Sequence, residues 1–284
     1  MLKRRTFLKN ISALAVAGLI LPKGLFAMDK EKIIGIQLYT IRELVKNNFV
    51  GTLKILSEIG YKSVEAAGYS NGKFYDYSPK EYKNIVADLG LIPLSTHTSF
   101  SLNDAQKVID DTLEAGMKYL IIPWLAPEKR KTLENYKALA DEYNKIGEKC
   151  TASGLTFGYH NHAFEFEKID DTIPYNFLLE NTETNLVTME LDLYWMVYGG
   201  YQPLEYFKKY PGRFKLWHIK DMNNQENRHS TEIGSGIINF TEIFDMKKEA
   251  GMEYCFVEQE SFDNGEAFWS IEKSFQYLQS LSNY

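Results

Sequence analysis

Between residues 33 and 280 the chain alternates short runs of β-branched and aromatic residues with longer amphipathic stretches. A short apolar run bounded by turn residues predicts a buried strand; an apolar stripe recurring every three to four residues predicts a helix packed on it. Strands are predicted at Ile33–Tyr39, Ser63–Ala66, Ile92–Thr96, Tyr119–Ile122, Thr156–His160, Leu186–Leu191, Phe214–Ile219 and Tyr254–Val257. Helices are predicted between them, at about Glu43–Ile59, Pro79–Leu89, Asp104–Ala115, Leu133–Ser153, Pro174–Glu180, Pro203–Lys209, Phe240–Ala250 and Glu266–Ser280. Ser78-Pro79-Lys80-Glu81 has the form of a capping box with proline at the first helical position. Gly60, Gly90, Gly116 and Gly154 stand where helices must stop. Eight strand–helix units in strict alternation predict an α/β fold, a single (β/α)8 TIM barrel. No Gly-x-Gly-x-x-Gly follows the first strand, which disfavours a dinucleotide-binding sheet.

Chemistry-bearing residues repeat at the ends of these strands. His97, His160, His162 and His218, four of the five histidines, lie at or just past strand C-termini, as do Glu65, Glu190, Asp192, Glu258 and Glu260. In a parallel barrel those ends converge on one rim, where active sites are built. Imidazole and carboxylate together suit a divalent ion such as Mn²⁺, Zn²⁺, Co²⁺ or Mg²⁺. Lys220 is placed to polarise a carbonyl, and Trp124, Trp195 and Trp217 to stack on sugar rings. His160 and His162 share a face by the period of two, as do Glu190 and Asp192, which places Glu190 deeper in the barrel as a support; Glu260 rivals Glu258 for the inward position. Ile233-Gly234-Ser235-Gly236 reads as a phosphate nest or a turn, with the turn favoured.

The N-terminus narrows the setting. Lys3-Arg4-Arg5-Thr6-Phe7-Leu8-Lys9 precedes an apolar run, Ile11 to Leu21, of signal-peptide rather than membrane-spanning length. The segment resembles a Tat-type export signal cleaved after Ala27, leaving residues 28–284 as the barrel domain of a periplasmic protein with no stable membrane insertion. Five of the 32 basic residues and none of the 38 acidic ones lie in residues 1–27, so 27 basic against 38 acidic remain, a formal net charge of −11. A surface of that sign disfavours nucleic acid. Cys150 and Cys255 read as buried, inert thiols rather than a disulfide framework.

Together, Ser63–Gly68, Tyr159-His160-Asn161-His162, Glu190–Trp195, His218-Ile219-Lys220-Asp221 and Val257-Glu258-Gln259-Glu260 resemble the xylose isomerase-like superfamily of sugar isomerases and epimerases, which also includes inosose dehydratase and endonuclease IV. The resemblance implies one divalent metal held from strands 5 to 8, here by His160, Asp192, His218 and Glu258. Where the family usually has Glu-Asn-His, this chain has His160-Asn161-His162, so one of two metal-bound glutamate bases would be a histidine. Glu258 and His160 are then the candidate bases, and Glu65, His97, His162, Lys220 and Trp124 the candidate substrate contacts. The implied substrate is a small unphosphorylated sugar or keto-sugar, with isomerisation or epimerisation as the first expectation and elimination or hydration as the second. An endonuclease IV-like reading would need a larger multi-zinc ligand set and a basic groove. A non-catalytic sugar-binding barrel stays open, as does a homo-oligomeric state.

Overall fold

The computed structural model describes residues 33–263, 265–282 and 284. The expected export signal, residues 1–27, lies outside the described residues. Eight parallel strands close into a barrel: β1 (Ile34–Gln37), β2 (Ser63–Ala66), β3 (Ile92–His97), β4 (Tyr119–Ile122), β5 (Thr156–His160), β6 (Val187–Asp192), β7 (Leu216–Ile219) and β8 (Tyr254–Val257). They pair in chain order, and β1 closes the ring against β8 through Ile34↔Cys255 and Ile36↔Val257. Helices cover the outside, so the expected (β/α)8 barrel is the observed fold.

The outward residues of the strands, such as Ile34, Ile36, Val64, Phe157, Leu191, Trp217 and Val257, join the main core beneath the helices. A second, smaller apolar cluster of Leu94, Tyr119, Ile121, Leu216 and Phe256 plugs the barrel interior. This plug leaves little room on the neighbouring strands. A Cβ on Gly35 would lie 2.5 Å from the Phe256 ring, and one on Gly158 would lie 2.7 Å from Ile121 Cδ1. Alternation then carries polar side chains to the layer above the plug. Cross-strand register sets His160 beside Glu190 and Asp192 beside His218. Between β2 and β3 the register shifts after Val64, which faces Pro93; a proline supplies no N–H to the ladder. Glu65 then pairs with Ser95.

Several predicted helices are divided. The predicted first strand stops at Gln37, and its last residues, Leu38 and Tyr39, open a 3₁₀ turn, Leu38–Ile41; the first helix divides into Arg42–Asn47 and Phe49–Ile59, because Asn48 caps the second by accepting from Gly51 N–H at 3.1 Å. Phe240–Asp245 and Lys247–Ala250 are likewise separate. An unpredicted helix, Leu193–Tyr198, follows β6 directly. Two short antiparallel pairs, Tyr69–Ser70 with Lys73–Phe74 and Asp221–Met222 with Ser230–Thr231, decorate loops after β2 and β7. Cys150 and Cys255 are buried free thiols, as expected. No described helix is long and apolar enough to cross a membrane.

Asp221 organises the loop after β7. Its Oδ2 accepts from Gly234 and Gly236 N–H at 2.9 Å each, and its Oδ1 from Met222 N–H at 2.8 Å and Ile238 N–H at 3.1 Å. The backbone donors that made this segment resemble a phosphate nest are thus spent on an internal carboxylate. Asp221→Ala is expected to destabilise the protein by at least about 1–3 kcal/mol, the cost of one orphaned buried donor. Denaturant unfolding measures the loss, and hydrogen exchange should rise over residues 222–238.

Candidate metal centre

Asp192 ends β6 and starts the next helix. Its Oδ1 accepts from Trp195 N–H at 2.8 Å as an N-cap, which leaves Oδ2 for the barrel interior. Asn161 fixes its backbone from both sides, accepting from Asp192 N–H at 3.1 Å and donating to Asp192 O at 3.3 Å. On β5, His160 Nδ1 lies 3.2 Å from the Pro123 carbonyl. That carbonyl accepts only, so Nδ1 carries the proton and Nε2 presents a lone pair. Burial, and then the charges on His218 and His97, hold the His160 pKa well below its ordinary value, so the ring is neutral.

His160 Nε2 faces Asp192 Oδ2 at 3.5 Å, and neither atom has a hydrogen-bond partner although both are buried. Two lone pairs facing one another in a water-poor interior cost free energy unless a cation lies between them. His218 Nδ1 is 4.0 Å from Asp192 Oδ2 and 2.9 Å from Glu258 Oε2. Ligand atoms from His160, Asp192, His218 and Glu258 all lie within 4.8 Å of one another. The residues fit a divalent ion: two imidazoles and two carboxylates from four consecutive strands, with the tautomer of His160 already fixed.

Lys220 stands above this group and is fully buried. Its Nζ is 2.7 Å from Glu260 Oε1, 3.6 Å from Glu258 Oε2 and 3.9 Å from Asp192 Oδ2, and it lies over the rings of Trp195 and Tyr194. Burial opposes its charge, but Glu258, Asp192 and Glu260 outweigh that and raise its pKa. Burial alone would raise the Glu258 pKa; Lys220 and His218 beside it hold it well below the usual carboxylate range. Glu258 is therefore an ionised carboxylate in contact with a cationic lysine.

A second layer lies on the plug side of the first. His218 Nε2 is 2.7 Å from Glu65 Oε2, and His97 Nε2 is 2.5 Å from Glu190 Oε2. Gln37 Nε2 donates to the same Glu65 oxygen at 2.7 Å. Burial raises both glutamates, but His97 and His218 bring Glu65 down to about 2. Glu190, beside the ionised Glu65, is pushed up to about 7 by burial and by that charge. His218 thus links the layers through its two ring nitrogens.

The strand-end histidines and carboxylates therefore converge as the pattern implied, in two tiers. Glu65 and His97, read from sequence as substrate contacts, sit in the lower tier. Glu65 is fully buried, whereas the rim of His97 is partly open. His162 packs between Phe164 and Trp195, with its ring centroid 5.1 Å from that of His160. Trp124 is 45% exposed, follows the Pro123 carbonyl that holds His160, and faces Arg130 at 5.9 Å. Trp217 faces away from the site, stacked on Phe207 outside the barrel, so it offers no sugar platform.

Glu165 escaped the sequence reading, because an acidic residue three positions past a loop histidine reads as solvent-facing. It is fully buried, accepts from His162 N–H at 2.9 Å and from the Tyr159 hydroxyl, and fixes the loop that carries His162. Burial pushes its pKa up to about 8. A carboxyl whose folded pKa is raised binds its proton more tightly when folded, so stability is lost as pH rises from the unfolded value toward 8. Glu165→Gln should remove that slope, gaining on the wild type by up to about 1.4 kcal/mol per pH unit in this window. Urea unfolding at pH 5 and pH 8 measures the difference.

Residues 53–281 match the family described as xylose isomerase-like TIM barrel. The chain belongs to that family. Inosose dehydratase of Geobacillus kaustophilus (strain HTA426) is 24% identical over 196 residues, 61% of this chain and 61% of that protein's length. The crystal structure of a sugar phosphate isomerase/epimerase from Parabacteroides distasonis ATCC 8503 superposes with a TM-score of 0.82 at 31% identity, covering 91% of this chain and 97% of that one. The IOLI protein with a bound zinc atom shares the fold, with a TM-score of 0.67 at 15% identity over 88% of this chain and 98% of that one.

Proposed function

We propose that this protein is a divalent-metal-dependent enzyme that takes a proton from the carbon beside a carbonyl of an unphosphorylated sugar or keto-sugar. The observation that carries the reading is the pair of unpartnered buried atoms, His160 Nε2 and Asp192 Oδ2, facing each other beside His218 and Glu258. His160, Asp192, His218 and Glu258 would hold the ion, and the zinc bound by the IOLI protein, which shares the fold, supports a metal-binding barrel. Bound there, a divalent ion supplies Lewis acidity toward a substrate carbonyl and its neighbouring hydroxyl.

The protein's own groups divide the remaining work. Glu258, held ionised, accepts the proton from carbon. Lys220, fixed by Glu260, places a cation where negative charge develops on the substrate oxygen. His162 and Trp195 close one side of the site, with ring centroids 5.5 Å apart. The Asp221-filled loop supports an unphosphorylated substrate, since its amides are not free to take phosphate.

A second reading, elimination or hydration, is favoured by His160. A neutral imidazole in place of a second glutamate returns a proton to carbon less readily, so the proton that Glu258 takes is less readily restored on the other face and loss of a neighbouring hydroxyl competes with epimerisation. The similarity to inosose dehydratase points the same way. Proton NMR in D₂O with Mn²⁺ and a panel of aldoses, ketoses and 3-keto-glycosides tests both. Deuterium at the α-carbon supports the shared first step, a new alkene signal selects elimination, and no exchange with any sugar contradicts the proposal. The twin-arginine segment adds the proposal that the enzyme works in the periplasm.

A further inference from the structure

A cavity of about 600 Å³ opens beside the barrel mouth, between the segments that leave β1 and β2. It has the volume of a small-molecule site. Its walls are tied to the metal centre. Tyr39, in the wall, donates its N–H to Gln37 Oε1 at 3.0 Å, and Gln37 holds the Glu65 oxygen that meets His218. Thr40 Oγ1 accepts from Gln259 N–H at 3.2 Å, one residue after Glu258. Ala67, two residues past Glu65, forms the other side.

The lining combines ring faces with polar groups. Phe49, Tyr75 and Tyr77 form an aromatic floor, with Phe49 centroids 4.9 Å from Tyr75 and 5.4 Å from Tyr77. Arg42 lies 4.5 Å over the Tyr39 ring and donates to the Tyr39 carbonyl at 3.0 Å. Among the described residues, no carboxylate lies within ion-pair distance of Arg42 or Lys46, although the chain as a whole is acidic. Tyr75 and Asp76, with φ 50° and 69°, are the central residues of a tight turn closed by reciprocal backbone hydrogen bonds between Phe74 and Tyr77, which carries them into the cavity wall.

We propose that this cavity is a subsite for the second ring of a glycoside whose first ring occupies the metal centre. Apolar ring faces pack on the aromatic floor, and hydroxyl or carboxylate oxygens meet Arg42 and Lys46. The inference rests on the sugar reading of the centre and deepens it: the substrate class is a disaccharide or another ring-bearing glycoside rather than a free monosaccharide.

The test separates the two claims, because binding needs no turnover. Titrations of the Mn²⁺-loaded protein with methyl glucoside, cellobiose and cellobiouronic acid are followed by NMR. At least one disaccharide is expected to bind about tenfold more tightly than methyl glucoside. Arg42→Ala, and Val50→Trp placed to fill the cavity from an exposed position, are each expected to abolish that advantage and leave methyl glucoside binding unchanged. Equal affinity for one and two rings, or an advantage that survives both substitutions, overturns the subsite. If the advantage appears and is lost as expected while no keto-sugar exchanges its α-proton, the subsite stands and the proposed reaction falls.

Discussion

Replacing Glu258 by glutamine is expected to slow α-proton exchange by about 10²–10⁴-fold, the range for loss of a general base. The amide matches the carboxylate in volume but accepts no proton at neutral pH. Glu258 is suited to the task because His218 at 2.9 Å and Lys220 at 3.6 Å keep it ionised in a buried site. Deuterium incorporation followed by NMR gives the rate, and metal content measured on the same sample separates a lost base from a lost ion. A variant that retains its metal and exchanges at the wild-type rate would remove Glu258 from the chemistry.

His218→Ala is expected to have the largest effect on stability and on metal affinity together. Both ring nitrogens are engaged, Nε2 with Glu65 at 2.7 Å and Nδ1 with Glu258 at 2.9 Å, and Glu190 Oε2 is 3.3 Å away. Without the ring, Glu65, Glu190 and Glu258 lose the partner they share, and only His97 and Lys220 remain to offset their buried charge. Removing one partner of a buried charge network costs about 3–5 kcal/mol. Glu65→Gln, which keeps the ligands but alters the group orienting His218, should weaken metal binding by about 10–100-fold. Urea unfolding and metal titration of both variants read these effects. Wild-type stability in His218→Ala would show that the two tiers are not coupled through this residue.

The barrel was legible because the strand runs are short, apolar and evenly interrupted, and because β7 and β8 end on His218-Ile219-Lys220 and Glu258-Gln259-Glu260. The period of two told that Glu190 and Asp192 share a face, whereas Glu258 and Glu260, read as rivals for one inward position, both bear on Lys220, and Glu258 on His218 as well. Of the lower tier only Glu190 was legible, two residues before Asp192 on the same face; Glu65 and His97 were not, since periodicity gives the face of a strand but not the relative height of residues on different strands. Height depends on strand tilt and register, including the shift after Val64 that brings Glu65 beneath His218. The helix Leu193–Tyr198 was hidden for a different reason. Leu-Tyr-Trp-Met-Val-Tyr has strand propensity, and the Asp192 cap, together with packing of Leu193 and Met196 into the core, overrides it. Asp221 and Glu165 act through backbone N–H groups, which leave no side-chain pattern in a sequence.

The most direct measurement is anomalous diffraction at the manganese or zinc edge from crystals soaked with that ion. One peak is expected, about 2.0–2.3 Å from His160 Nε2, Asp192 Oδ2, a His218 ring nitrogen and a Glu258 oxygen. A peak elsewhere in the molecule, or none from protein shown by titration to be saturated, would contradict a metal centre built from these four residues.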